Sequence, residues 1–414
     1  MPFLERIELQ MRKPIGAGLA LFTFALGGAL SSLAADPRPA DQPAGKEVVR
    51  PKESGKVSLL HVPDKGIQPQ VAVDGKGMIH LIYFKGEAGG GDIFYVHAGA
   101  DGAFSKPRRV NSRPGSAMAI GNIRGAHLAL GKNGRVHVAW MSGKQERIGD
   151  SKSSPMVYTR QNDEGTAFEP QRNVIQSAVG LDGGGSVAAD ELGHVYVAWH
   201  APAPGEKGEN SRRVWIAVSS DEGRTFAKER PAFEDPTGAC GCCGMRAFAD
   251  HKGSVYVLYR AATEGVHRDM YLLTSSKKSP RFLGDRLQEW ETSSCPMSSA
   301  ALAESPAGVL AAWETKDQVY FAVIDPDTGK RSAVRAASGE ARGRKHPAVA
   351  GNVDGETILV WTEGMGWDKG GSVAWQVYDK SGKPTGEKGR ADGVPTWSLV
   401  AVFVRPDGGF TVIY

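Results

Sequence analysis

Ala126–Trp140 reads AHLALGKNGRVHVAW. Its apolar residues alternate with polar ones, a Gly-containing polar turn interrupts them, the alternation resumes, and the stretch closes on a tryptophan. Period-two alternation around a short turn is the pattern of a β-hairpin, not of a helix. The same pattern recurs at Val71–Tyr83, Ser186–Trp199, Arg246–Tyr259, Ser299–Trp313, Pro347–Trp361 and Leu399–Tyr414. The closing aromatics, at 83, 140, 199, 259, 313, 361 and 414, fall 48 to 60 residues apart. That interval holds four strands of about five residues with their hairpins.

A second strand pair fits between successive hairpins: Asp92–Val96 with Pro107–Val110, and Val214–Val218 with a strand near Glu229. Four strands per unit, repeated at a fixed period, is the signature of a β-propeller. The fold class is therefore all-β, a single propeller over 57–414. The last copy ends after two strands, and Val57–Val62 (VSLLHV) precedes the first copy with no unit of its own. It would close the ring in the last blade, giving seven blades; six follow if one copy is an insertion.

Residues 1–35 read as a signal peptide. Arg12 and Lys13 precede the apolar run Ile15–Leu30, and Ser31-Ser32-Leu33-Ala34-Ala35 supplies small residues for cleavage. The run is shorter than the ~20 residues a spanning helix needs, so no membrane span is expected after cleavage. The expected location is periplasmic or extracellular. Residues 36–56, rich in Pro, Lys and Glu, read as a linker. The net charge of +4 is small and evenly spread, and no basic run is interleaved with aromatics. Nucleic acid is not an expected partner.

Ser219-Ser220-Asp221-Glu222-Gly223-Arg224-Thr225-Phe226 matches S-x-D-x-G-x-T-[FW], the Asp-box, and a degraded copy lies one unit earlier at Gln161–Phe168. On these residues the chain resembles the sialidase-like superfamily of BNR/Asp-box propellers. The physics of the motif is structural. Asp221 can accept hydrogen bonds from its own turn with Ser219 and Thr225 beside it, Gly223 supplies a conformation other residues resist, and Phe226 plugs the space beneath. The resemblance implies architecture and stops short of chemistry. Sialidases proper use six blades, an arginine triad that grips the substrate carboxylate, a Tyr/Glu nucleophile pair and an Asp acid/base. Here Gly66-Ile67-Gln68-Pro69-Gln70 stands where the family's Arg-Ile-Pro would be, and no Tyr/Glu pair can be assigned.

In a propeller, the loops entering first strands and those joining second to third strands share one face. Polar residues that fall there are the candidates for a site. Arg124, Arg246, Arg260, Arg268, Asp269, His346 and Trp397 are the ligand-binding candidates, with His127, Asp182, His200, Glu314, Glu363 and Trp367 nearby in the repeat. Asp269, Glu314 and Glu363 are the carboxylates a glycoside hydrolase would draw on.

Four cysteines, Cys240, Cys242, Cys243 and Cys295, precede the first strands of the fourth and fifth units, which places them together. An exported chain with an even count pairs its cysteines. Four cysteines allow three pairings, and a Cys295 bridge to the C-G-C-C run is one plausible element. The alternative is a soft-metal site for copper or zinc, with help from the Met245 or Met297 thioether and from His267. Cys-x-Cys-Cys matches no standard zinc spacing, so no cofactor is the first expectation. Two function classes follow: a propeller that binds a glycan, peptide or extracytoplasmic protein on this face near the cysteines, or a glycoside hydrolase of sialidase type.

Overall fold

A computed structural model describes residues 55–99, 102–143, 153–276, 279–340 and 343–414. The stretch expected to be a signal peptide, and all but the end of the expected linker, lie outside these residues. Six four-stranded antiparallel sheets and one three-stranded sheet make seven blades. Blade 1 comprises Ile67–Val73, Ile79–Glu87, Gly90–Ala98 and Arg108–Arg109. Blade 2 is His127–Leu130, Val136–Met141, Met156–Arg160 and Arg172–Asn173. Blade 3 runs Gly185–Ala189, Val195–Pro202, Arg212–Ser219 and Arg230–Pro231. Blade 4 has Arg246–Ala249, Val255–Arg260, Met270–Ser276 and Ser279–Gln288. In blade 5 the strands are Ala301–Ser305, Gly308–Thr315, Gln318–Ile324 and Arg335–Ala336. Blade 6 consists of Arg344–Gly351, Thr357–Glu363, Gly371–Tyr378 and Pro384–Val394.

Blade 7 joins the two ends of the described chain: Ala401–Val404, Phe410–Ile413 and Val57–Leu60. The closing strand is the one expected from sequence, but it pairs with Phe410–Ile413 in parallel. The reason is topological. The chain must leave this strand on the face where blade 1's innermost strand begins. It therefore runs in the direction of a fourth strand, which is parallel to the second, while occupying the third position. Phe410 N donates to Lys56 O at 2.8 Å and Val62 N to Tyr414 O at 3.0 Å, carrying the ladder past both ends.

First strands face the axis and are rich in small residues (Ala72, Ala129, Ala188, Ala247, Ala303, Ala350), because seven strands meet around a narrow lumen. Second strands such as Val136–Met141 are buried along their whole length between neighbouring blades. Seven of the hydrophobic clusters each span one blade interface, and each contains one of the closing aromatics.

The turn Ser219–Phe226 joins the third and fourth strands of blade 3. Asp221 Oδ1 accepts from Thr225 N at 2.9 Å and Oδ2 from Thr225 Oγ1 at 2.6 Å, while Ser219 Oγ donates to Oδ1 at 2.6 Å. Although burial works the other way, the bonds from Ser219 and Thr225 bring the carboxyl down to about 2. Phe226 sits edge-on to Tyr158 of blade 2, and Phe168 repeats this on Tyr95 of blade 1. In the degraded copy the brace is Asn162, whose Oδ1 accepts from Thr166 N and Ala167 N. Asp163 points away to pair with Arg224 and Arg135.

Leu60, 7% exposed, packs in the cluster that joins blades 7 and 1. Leu60→Ala is expected to cost about 2–4 kcal/mol. Val353→Ala, at a site 84% exposed, should stay within about 0.5 kcal/mol. Urea unfolding followed by tryptophan fluorescence checks both, and equal effects would remove the closing strand from the cooperative unit.

Candidate functional site

The entry loop of blade 2, residues 116–125, crosses the axis and covers the channel on the loop face. Gln68 Nε2 donates to Ala119 O at 2.7 Å and to Trp397 O at 2.8 Å, and Asn122 Nδ2 donates to Ser398 O at 2.6 Å. Blades 1, 2 and 7 are thereby interlocked. On the other side Ile123, 3% exposed, lies against Gly184 and Gly244: a Cβ on either would fall 2.5 Å from Ile123 O or 3.6 Å from Ile123 Cβ. Gln68, Asn122, Met297, His346 and Trp397 all take positive φ, from 48° to 65°. They stand at the entrances of blades 1, 2, 5, 6 and 7, where the chain turns from the face into the inner strand. Bulky residues resist this conformation, so five such entries mark a face whose loops are held against local preference.

Beneath this cap lies the lumen. A cavity of about 110 Å³ is bordered by Gln70, His127, Arg246, Ser299 and His346, and one of about 450 Å³ is ringed by the first strands of all seven blades. Arg246 enters both. Its Nη1 donates to Gln70 Oε1 at 2.6 Å and its Nε has no partner. No carboxylate reaches it among the described residues, and burial pulls the guanidinium down to about 10. His127 pairs with Ser186 Oγ at 2.7 Å and His346 with Ser299 Oγ at 3.2 Å. Burial, with the Lys345 charge adding to it, pushes His346 down to about 3. Arg246 and His346 are thus lumen residues under the cap, apart from the other candidates.

Those others form a band across the face. Trp397 and Trp367 stand edge to face, centroids 4.9 Å apart. Trp367 borders Gly121, whose other neighbour is Arg124. Arg124 is fully buried and donates through Nε to Asp182 O at 2.8 Å and through Nη2 to Asp182 Oδ1 at 3.3 Å. Asp182 also receives Arg212 at 3.4 Å. Glu209 binds Arg268 at 2.8 Å and the Gly241 amide at 2.7 Å. Glu209, on the loop between the second and third strands of blade 3, and Arg212, the first residue of its third strand, were not singled out from sequence; the charged run Glu206–Arg213 at the place equivalent to His267-Arg268-Asp269 is the signal that marks them. Nε and Nη1 of both Arg212 and Arg268 and both ring nitrogens of His200 are buried with no hydrogen-bond partner, and Arg212 Nη1 lies 3.9 Å from Glu209 Oε1.

The cysteines sit at one end of this band. Cys242 and Cys295 form a disulfide between the entry loops of blades 4 and 5, and Cys240 and Cys243 are buried thiols. Sequence left this pairing open. Burial raises the Cys243 thiol, but the Cys240 hydrogen bond, the Arg260 charge and a backbone hydrogen bond from Ser298 outweigh it and bring it down to about 7.

The three candidate hydrolytic carboxylates are each engaged within the fold. Asp269 accepts from Trp290 N at 2.9 Å and meets Arg286 at 3.4 Å. Glu314, wholly buried, faces Arg260 at 3.8 Å and accepts from Asp317 N. Glu363 binds Trp361 Nε1, Arg344 and Arg390. Arg260 also donates to the Glu314 and Arg268 carbonyls and covers the Trp290 ring.

No protein-family model and no curated protein matches the chain. Among solved structures it is similar to a protein of unknown function from Dyadobacter fermentans, at 13% identity and TM-score 0.49, covering 73% of this chain and 92% of that one. It is similar to a Penicillium chrysogenum α-L-arabinanase at 13% identity and TM-score 0.47, with 78% and 95% covered. A Hadza microbial sialidase follows at 12% and 0.45, with 75% and 68% covered. At these values the likeness is one of fold alone, and no residue role is taken from it. The chain is a seven-bladed β-propeller.

Two outcomes test the lumen. Removing an unpaired buried charge is neutral or stabilising when the volume is kept, so Arg246→Met should hold or raise the melting temperature; a fall of several degrees would show that the charge is compensated. His346 and His137 are both held near 3, His137 by burial with Arg135 and Arg160 adding to it. Each is neutral when folded and takes a proton at its ordinary 6.5 when unfolded. Their stabilisation is complete above pH 6.5 and is lost as pH falls toward 3, roughly 2 kcal/mol each by pH 5. Thermal melts between pH 7 and 5 should show this slope, and His346→Gln should flatten it by about one proton.

Proposed function

We propose that the chain acts outside the cytoplasm as a binding propeller for carboxylate-bearing glycans, taken on the loop face between the Trp367–Trp397 pair and the cysteines. The observation that carries this is the half-exposed Trp367–Trp397 pair on the same face as the ion-paired arginines Arg212 and Arg268. Guanidinium groups bind carboxylates through parallel hydrogen bonds, and indole rings offer an apolar face with a polar edge. A sugar ring over the tryptophans would bring an acidic substituent to the arginine band, where it would compete with Asp182 and Glu209 for the guanidinium groups of Arg212 and Arg268. Hydrolysis is the weaker reading, since Asp269, Glu314 and Glu363 all hold structural partners. Export rests on the leader at residues 1–35, and the mature chain should begin within a residue of Asp36 when its terminus is sequenced.

Calorimetric titration with sialyllactose and oligogalacturonide, against lactose and a neutral oligosaccharide, tests the reading. The acidic sugars should bind at least about tenfold more tightly. Trp397→Ala and Arg268→Gln should each weaken them by a similar factor. Equal affinity for neutral sugars, or capture of polyglutamate with no glycan bound, would overturn the assignment. Robust turnover of a fluorogenic sialoside would instead establish the hydrolase.

A further inference from the structure

The disulfide accounts for two of the four cysteines. The other two remain buried against it: Cys240 Sγ lies 3.2 Å from Cys242 Sγ and 3.5 Å from Cys243 Sγ. The three sulfurs of this loop lie within 4.8 Å of one another, and Cys295 adds its own through the bridge to Cys242. Met297 and Ala262 pack against the group. Four sulfurs thus converge from two blades in a pocket that a single bridge would not require.

The backbone holds this arrangement in place. Cys240 N donates to Arg260 O at 2.9 Å, Gly244 N to Ser298 O at 2.9 Å, and Gly241 N to Glu209 Oε1 at 2.7 Å. A Cβ at Gly241 would displace the Arg212 guanidinium that sits against this backbone. The loop therefore turns its polar backbone outward to the arginine band and its sulfurs inward. His267 is not part of the group; its ring lies between Glu264 and Glu291. Arg260 and Arg268 supply positive charge beside Cys243 and Cys240.

We propose that reduction of Cys242–Cys295 opens a thiolate site for one copper(I) ion, built from Cys240, Cys242, Cys243 and Cys295 with the Met297 thioether beside it. A dithiol reductant supplies the electrons. Its two sulfurs join as a disulfide, the Cys242–Cys295 bond breaks, and two electrons and two protons pass to the cysteines. Copper(I) then displaces one proton from each thiol it binds and keeps its own oxidation state. An all-sulfur donor set with a thioether favours copper(I) over harder divalent ions, and the two guanidinium groups offset the excess negative charge of the thiolates. The oxidised chain has its second and fourth ligands tied to one another, so the bridge acts as the lock on the site.

The test uses the full mature chain, reduced with dithiothreitol and desalted without oxygen, then titrated with copper(I) against the chromogenic chelator bicinchoninate. One equivalent should be withdrawn from the chelator by the reduced protein and none by the oxidised protein. Cys240→Ser with Cys243→Ser keeps the disulfide and should weaken copper(I) binding in the reduced state at least a hundredfold. Thermal melts guard against loss of fold: copper(I) should raise the melting temperature of the reduced wild type and leave that of the double variant unchanged. Competition by the reduced wild type no stronger than by the variant would overturn the site. So would equal binding by the oxidised chain, or tighter retention of zinc(II) than of copper(I). A reduced chain that unfolds and is not restored by copper(I) would overturn it as well.

Discussion

One aromatic side chain at each blade interface is the interaction on which the ring depends. Tyr83, Trp140, Trp199, Tyr259, Trp313 and Trp361 lie in the second strands and Tyr414 directly follows one, and each falls in a different interface cluster. A blade is a twisted sheet with two apolar faces, and neither can be buried without a neighbour. The wedge between successive blades is filled by one large ring on each second strand, while Ala and Gly on the first strands let the narrow side close around the lumen. Large residues outside and small ones inside define the curvature, and the blade count follows from it.

That requirement is why the architecture was legible from the residues alone. A plug that must recur once per interface recurs at a readable interval, and so do the alternating strands beneath it. The turn at Ser219–Phe226 was legible for the same reason, since its hydrogen bonds are local. Its degraded partner was legible as a turn and misleading as a residue list. Asn162 and Asp163 are adjacent and both can brace a turn; the ion pairs of Asp163 with Arg135 and Arg224 draw it away. The direction of the closing strand depends on which face the chain must leave, which a pairing pattern does not encode.

The face was less legible because its chemistry is made across blades. Arg246 and Arg124 look alike in the repeat, each near an inner strand. One lies in the lumen with Gln70, and the other is bound to Asp182 of the next blade. The difference is made by a loop, residues 116–125, whose sequence carries no motif but whose Ile123 and Asn122 reach blades 3, 4 and 7. The cysteine pairing was open for a similar reason: spacing brings four thiols together, and only the positions of two entry loops distinguish Cys242 from its neighbours.

The parallel seam also affects how the molecule comes into being. Val57 meets Phe410 across 353 residues, whereas the strands of any other blade meet within a single repeat. Loop-closure entropy grows only as the logarithm of length, so joining the ends costs about 2 kcal/mol more than closing one blade. The thermodynamic burden is small and the kinetic one is not, because this contact waits on every intervening blade. Until Phe410–Ile413 is available, the faces of blades 1 and 6 that belong against blade 7 stay uncovered. The seam therefore converts a row of six blades, each open to further pairing, into a ring with no unsatisfied neighbour.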